Sequence, residues 1–332
     1  MTLSSPAGQM TRLFSLAAVA ILSLAPAPCA WAQSAEGSFD RTLKVTGPVE
    51  LTIQSGAGGI HVRAGAGGTV SIAARLRPSN AWLAGDVEAR IRQIEKNPPI
   101  EQTGNAIRVG RFANESLSKN ISITYDVTVP AQSSVTARSG SGGIVINDLS
   151  GPVDATTGSG GITIGRIAGQ VAASTGSGGI EVLGAAGLKA RTGSGSIRAT
   201  AVAGDVTASS GSGRVQIDLT GKGSVDVSSS SGAVTVAGVD GAARVSTSSS
   251  SLEVEGRPSA PWNVRSSSGR VTLRIAPDAA FNLDARLSSG SIETARPITI
   301  KGTVDKRWLQ GEVRGGGPLV TVRTSSGGIR IQ

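Results

Sequence analysis

The chain has 332 residues, 46 of them glycine, with one cysteine, one histidine and a formal net charge of +9. A single histidine excludes HExxH and paired-histidine metal sites, and so few Phe, Tyr and Trp residues exclude a wide core anchored on aromatics. Val and Ile recur at regular spacing among the Gly and Ser, which excludes a disordered low-complexity linker.

Residues 1–32 read as a secretory leader rather than as part of the fold. Arg12 is the only charge before Glu36. It precedes the apolar run Leu13–Leu24, which is short for a bilayer span. Pro26 and Pro28 break the run, and Ala30-Trp31-Ala32 supplies small residues for cleavage before Gln33. Cys29 follows Pro28 rather than a small residue, which argues against lipid attachment. Cleavage leaves a chain without cysteine, which excludes disulfides, thiolate metal sites and cysteine nucleophiles. Its charge is 9 − 1 = +8. Such a chain is expected to be exported to the periplasm or cell surface and to be peripheral to the membrane at most. Its basicity favours anionic envelope polymers, and the compartment argues against nucleic acid, although a charge of this size also serves solubility alone.

The segment 33–332 reads as one domain. Residues 39–72 have strand character, and 75–79 are expected to form a loop. A helix is predicted over 81–96, with Leu83, Val87, Ile91 and Ile94 at helical spacing, Ser79 or Asn80 as cap, and Pro98-Pro99 as stop. It is expected to cover an open end of the fold, where unpaired strand edges would invite aggregation. The strand 121–129 leads into the repeats.

From about 135 to 292 a Gly/Ser cluster followed by an aliphatic residue recurs. Copies end at Ile144, Ile162, Ile180, Ile197, Val215, Val234, Leu252, Val271 and Ile292, mostly 17 to 19 residues apart, with a last copy at Ile329 and an early one at Ile60. Each unit offers two short alternating strands, such as Val153/Ala155/Thr157 and Ile162/Ile164. Strands this short bury a face only by stacking on their equivalents. The fold expected is all-β, a parallel β-solenoid of about 18-residue, two-strand coils, right-handed by the crossover rule. A left-handed hexapeptide helix would need aliphatics at Ala168 and Ser174. The column Thr157, Thr175, Thr192, Ser210, Ser229, Thr247 and Ser266 is expected to form a ladder of mutually bonded hydroxyls. The turn glycines are expected to supply positive φ. The C-terminal copy, ending Ile329-Arg330-Ile331-Gln332, has no cap of its own and is expected to leave an edge open to a second molecule.

Catalytic motifs are sparse. No GxSxG elbow occurs, the Walker pattern fails at Gln216, and the turns lack the Asp of calcium-binding β-rolls. Asp148, Asp154, Asp205, Asp218, Asp226 and Asp240 fall at different repeat positions, which is unlike the clustered carboxylates of β-helix polysaccharide enzymes. No enzyme activity, cofactor or metal is expected. The candidate anion contacts are Arg138, Arg191 and Arg265, before the turn hydroxyl, and Arg214 and Arg270, before the aliphatic. Isolated solvated charges are the simpler role. His61 reads as a surface residue. Trp262 and Trp308 read as packing residues or as platforms for sugar rings.

Four segments carry a resemblance. They are Leu51-Thr-Ile-Gln-Ser-Gly-Ala-Gly-Gly-Ile60, the interposed helix, Ile123-Thr-Tyr-Asp-Val-Thr-Val-Pro130 with Ser139-Gly-Ser-Gly-Gly-Ile144, and Gly315-Gly-Gly-Pro-Leu-Val-Thr-Val-Arg-Thr-Ser-Ser-Gly-Gly-Ile329. Through them the chain resembles exported bacterial putative-adhesin domains of β-strand repeats, a family of largely unknown function. The resemblance implies fold and carries over no binding residue. The expected role is adhesin-like binding of a surface or polymer along the solenoid wall. A periplasmic scaffold or sensing partner for another envelope protein is the alternative, and a polysaccharide-degrading enzyme is a more distant one.

Overall fold

Alternation of side chains decides which residues of each repeat meet. In Val153–Thr157 the residues Val153, Ala155 and Thr157 are buried while Asp154 and Thr156 face solvent. After the turn, Ile162–Arg166 buries Ile162 and Ile164. A computed structural model describes residues 36–79, 84–295, 297–300 and 305–332. The leader, Cys29, Asn80, Trp82 and Leu83 lie outside them.

Each coil places one strand in each of two parallel stacks. Val153 pairs with Val171, Ala155 with Ala173 and Thr157 with Thr175 in one sheet. Ile162 pairs with Ile180 and Ile164 with Val182 in the other. Among the described residues the stacks grow to 15 and 14 strands. An alanine column (Ala137, Ala155, Ala173, Ala190, Ala208) runs through one sheet and an aliphatic column (Ile144, Ile162, Ile180, Ile197, Val215) through the other. Small residues in one sheet and large ones in the other fill the thin core of these coils without aromatics. Each buried Val or Ile contributes about 1.5–3 kcal/mol. Leu149, Ile167, Ala185 and Val202 add a buried row at the bend after the second strand. Unequal coil lengths are absorbed as bulges between Ala199 and Val202 and between Val236 and Val239.

The hydroxyl column differs from the expected ladder. The hydroxyls bond to turn backbone rather than to one another. The Thr175 hydroxyl donates to the Gly160 carbonyl of the preceding coil at 2.9 Å and accepts from Gly178 N–H of its own turn at 3.1 Å. Thr157, Thr192 and Ser210 do the same with their own neighbours. The reason is reach: a short side chain at the strand end meets the turn backbone before it meets a hydroxyl one strand away. Thr175→Val keeps the shape but leaves a buried carbonyl and N–H unpaired. It should cost about 2 kcal/mol in urea unfolding, with Thr175→Ser close to wild type. Equal losses for the two variants would show that the hydroxyl is not the source.

The turn glycines also have a different reason from the one expected. Positive φ occurs at Gly58 (+135°) and Gly327 (+145°) but at none of the glycines between Gly140 and Gly232. There, crowding between coils requires glycine: a Cβ on Gly178 would overlap the Gly160 carbonyl oxygen, and one on Gly195 that of Gly178.

Both ends carry strands that leave the coil pattern. At the first end, Ile121–Pro130 lies parallel to Ile60–Gly65 and antiparallel to Thr69–Pro78, which pairs in turn with Gly37–Lys44. The expected loop at 75–79 is therefore mostly strand, because Leu76 pairs with Ile123 and Pro78 with Ile121. The other sheet is extended by Ala106–Val109 and the antiparallel Ile100–Thr103. The helix Ala84–Lys96 buries Val87, Ile91 and Ile94 against this end and stops before Pro98.

The C-terminal copy is not an edge. Leu319–Ser326 lies between Trp262–Ser268 and Phe281–Ser289, and Ile329–Ile331 lies between Val271–Ile275 and Ile292–Thr294. The last segment of the chain is threaded between two earlier coils, so the expected route to oligomers through an open C-terminal edge loses its premise. Antiparallel Trp308–Val313 and Thr299–Ile300 close that side of one sheet instead.

Candidate functional site

The outward position just before each buried hydroxyl, or before Leu287 where that residue takes the hydroxyl's place, forms one continuous row across the sheet that contains Val153–Thr157. In order of pairing it runs Arg138, Thr156, Ser174, Arg191, Ser209, Ser228, Ser246, Arg265, Arg323 and Arg286. Every member is a hydroxyl or a guanidinium. At ordinary strand spacing Arg138 and Arg191 are about 14 Å apart, and Arg191 and Arg265 about 19 Å. Arg265, Arg323 and Arg286 occupy three neighbouring strands, about 4.8 Å per step.

Three of the five arginines singled out in the sequence therefore share this row. Arg214 and Arg270 do not. They sit in the turn before Val215 and Val271, three coils apart, on the edge between the sheets. Arg323 and Arg286 were missed, although Val322-Arg323-Thr324-Ser325-Ser326 and Ala285-Arg286-Leu287-Ser288-Ser289 repeat Val264-Arg265-Ser266-Ser267-Ser268. Irregular spacing hid the match, and the threading of the last segment is what brings them beside Arg265.

Arg286 is held in place. Its Nε donates to Asp284 Oδ1 at 2.9 Å, and its guanidinium lies 4.5 Å from the ring centroid of Trp308. Trp308 Nε1 donates to the same carboxylate oxygen at 3.0 Å. Among the described residues, neither Arg265 nor Arg323 pairs with a carboxylate. Elsewhere on the surface such pairing is common, as in Arg257–Asp278 (2.7 Å), Arg274–Glu253 (2.8 Å) and Arg330–Glu293 (2.8 Å). The hydrogen bond from Arg257 holds the Asp278 carboxyl below the usual carboxylate range. Like charges directly opposite on adjacent strands cost about 0.2–1 kcal/mol, so the arginine triplet is a local expense of stability.

A cleft of about 530 Å³ opens over the triplet, with Ser246, Ser267 and Ser288 beside the three arginines. Ser266 and Thr324 also line it, and their buried hydroxyls have no hydrogen-bond partner among the described residues. The hydroxyl lattice stops here because these strands run on past the hydroxyl. Gly269 N–H turns to Ser326 O rather than to the Ser266 side chain. Trp308 is 39% exposed beside the cleft, whereas Trp262 is buried, with its Nε1 donating to Gly241 O at 2.9 Å. Trp262 is thus a packing residue.

His61 Nδ1 lies 2.8 Å from Asp126 Oδ1, which belongs to an exposed cluster with Arg75. Asp154 and Asp226 share a row but stand four coils apart, about 19 Å at ordinary strand spacing. Two carboxylates that act on one glycosidic bond stand roughly 5–9.5 Å apart.

The family model described as Toastrack DUF4097 matches residues 102–332, most of the chain. The chain belongs to the Toastrack DUF4097 family. The Toastrack match takes in the repeats, the arginine row and the threaded C-terminal segment, and it begins after the first coil and the helix. No curated protein matches the chain. Three solved structures are similar in part. A putative cell adhesion protein from Clostridium sporogenes is 8% identical, with 89% of this chain and 98% of that one covered at a TM-score of 0.24. A putative adhesin from Bacteroides fragilis is 10% identical, with 89% and 97% covered at 0.32. A putative lipid binding protein from Parabacteroides distasonis is 10% identical, with 89% and 97% covered at 0.35.

Proposed function

We propose that this Toastrack protein is a non-enzymatic component of the cell envelope that binds an anionic polymer along its arginine- and hydroxyl-bearing wall. The observation that carries this reading is the register of Arg265, Arg323 and Arg286 on adjacent strands, two of them without a carboxylate partner among the described residues. Three guanidiniums in line offer planar, multiply donating contacts to successive carboxylates or phosphates. The row of Ser and Thr hydroxyls leading to Arg191 and Arg138 extends that contact along the solenoid axis. Trp308 beside the cleft adds an aromatic face of the kind that packs on sugar rings. In this reading the leader at 1–32 delivers the chain to the compartment where such polymers occur.

The test is binding to polygalacturonate, with neutral dextran as control. Wild type should bind the acidic polymer alone, and the binding should weaken as salt shortens the screening length to about 3 Å near 1 M. The variant Arg265→Ser/Arg323→Ser should bind at least about tenfold more weakly, roughly 1.4 kcal/mol. It should melt at the same temperature as wild type or higher, because the like-charge contact is gone. Unchanged affinity in the double variant, or equal binding to dextran, would refute the proposal.

A further inference from the structure

A second cleft, of about 1190 Å³, lies at the helix-bearing end of the solenoid, away from the arginine triplet. Segment 110–121 forms one wall, and the turns at Ser55-Gly56 and Ser139-Gly140 form the other. The segment is held in shape before any ligand arrives. Asn114 Oδ1 accepts from Ser116 N–H at 3.0 Å and caps a short 3₁₀ turn over Glu115–Ser118. Arg90, from the helix, donates to the carbonyls of Ser116 (2.8 Å) and Lys119 (2.7 Å). Gly110, with φ +83°, passes so close to the first coil that a Cβ there would overlap Gln54 O and stand 3.2 Å from the Tyr125 hydroxyl.

Tyr125 is the only tyrosine in the chain, and it lines this cleft. It is fully buried, and its hydroxyl has no hydrogen-bond partner among the described residues. Its strand neighbours Ile60 and Ala74 are apolar. A phenylalanine would fill the same space without stranding a donor, so packing does not account for the hydroxyl. Three cations, Arg111, Lys119 and Arg138, stand around the cleft against one carboxylate, Glu115.

We propose that this cleft binds a small molecule bearing a carboxylate or phosphate group, with one of its oxygens accepting from the Tyr125 hydroxyl and its charge met by Arg111, Lys119 and Arg138. Burial pushes the Tyr125 phenol up, so it remains a donor throughout the physiological range. The volume suits a ligand of a few sugar or polyol units rather than a bare ion. This site shares Arg138 with the near end of the wall row but none of the residues around the arginine triplet.

The lone tyrosine supplies its own reporter. The full chain labelled with [ζ-¹³C]tyrosine gives one resonance, to be followed during titration with digalacturonate, with glycerol 3-phosphate, and with lactose and glycerol as neutral controls. One of the charged probes is expected to shift that resonance saturably by about 10 mM, and which one responds identifies the anion as carboxylate or phosphate. By calorimetry, Tyr125→Phe should weaken the responding probe about tenfold while leaving the melting temperature unchanged or higher. Lys119→Ala should weaken it similarly, and Arg265→Ser/Arg323→Ser should leave it unaltered. Silence with both charged probes, an equal response to the neutral ones, or full affinity in Tyr125→Phe would overturn the proposal.

Discussion

Gly178→Ala should lower the free energy of unfolding by about 3 kcal/mol, while Gly179→Ala, one residue along the same turn, should be neutral or slightly stabilising. Neither glycine has positive φ, so backbone conformation does not separate them. Space does. The Cβ of an alanine at 178 would overlap the Gly160 carbonyl oxygen, backbone that is itself hydrogen-bonded to the Thr175 hydroxyl and cannot retreat without loss. A Cβ at 179 would meet Ser196 O at 3.5 Å, an ordinary contact. The repeats agree. Positions stacked with Gly179 hold Gly143 and Gly161 but also Ser196, Arg214, Ala233 and Ser251, whereas those stacked with Gly178 hold Gly142, Gly160, Gly195, Gly213 and Gly232, with Ser250 the one exception over the same coils. Urea unfolding of the two variants decides the matter, and equal midpoints would remove crowding as the reason for the glycine column.

Truncation after Pro318 should do more damage than removal of a terminal coil from a solenoid ordinarily does. In a simple stack the last unit touches one neighbour, and its loss costs one interface. Here Leu319–Ser326 bridges the strands that carry Trp262 and Phe281, and Ile329–Ile331 bridges those that carry Leu273 and Ile292. Removing them breaks four strand pairings and bares edges on both sides of the gap. It also separates Arg265 from Arg286, so binding to acidic polymer should fall with stability. Limited proteolysis is expected to digest 281–313 rapidly while the coils over 135–260 stay protected. Protection of 281–313 in the truncated chain would mean that this segment holds to the solenoid without the threaded strands.

These two cases mark where sequence reasoning succeeds and where it stops. Repetition at 17 to 19 residues, with Val153, Ala155 and Thr157 alternating against Asp154 and Thr156, was enough to define two stacked parallel sheets and the inward column of hydroxyls. Period-two alternation and short strands leave few other ways to bury those residues. The same spacing put Arg138, Arg191 and Arg265 at one repeat position, and that position proved to be one row on the wall.

What the hydroxyls bond to was not legible, because the sequence orders them along the axis but does not say how far a Thr side chain stands from the turn of the preceding coil. Positive φ and close approach both call for glycine, and only the packing of coil against coil told them apart. The contact among Arg265, Arg323 and Arg286 depends on a segment returning between coils laid down earlier in the chain. Repeat order alone would have placed that segment at the end. The buried hydroxyl of Tyr125 likewise reads in sequence as an ordinary alternating strand residue.

The sequence by itself thus determined the coil, its two faces and the residues that repeat on each, since those follow from local periodicity and the need to bury one face. The tertiary structure decided which coils are neighbours and which polar atoms are left without partners. Both depend on contacts between residues far apart in the chain, which no local pattern encodes.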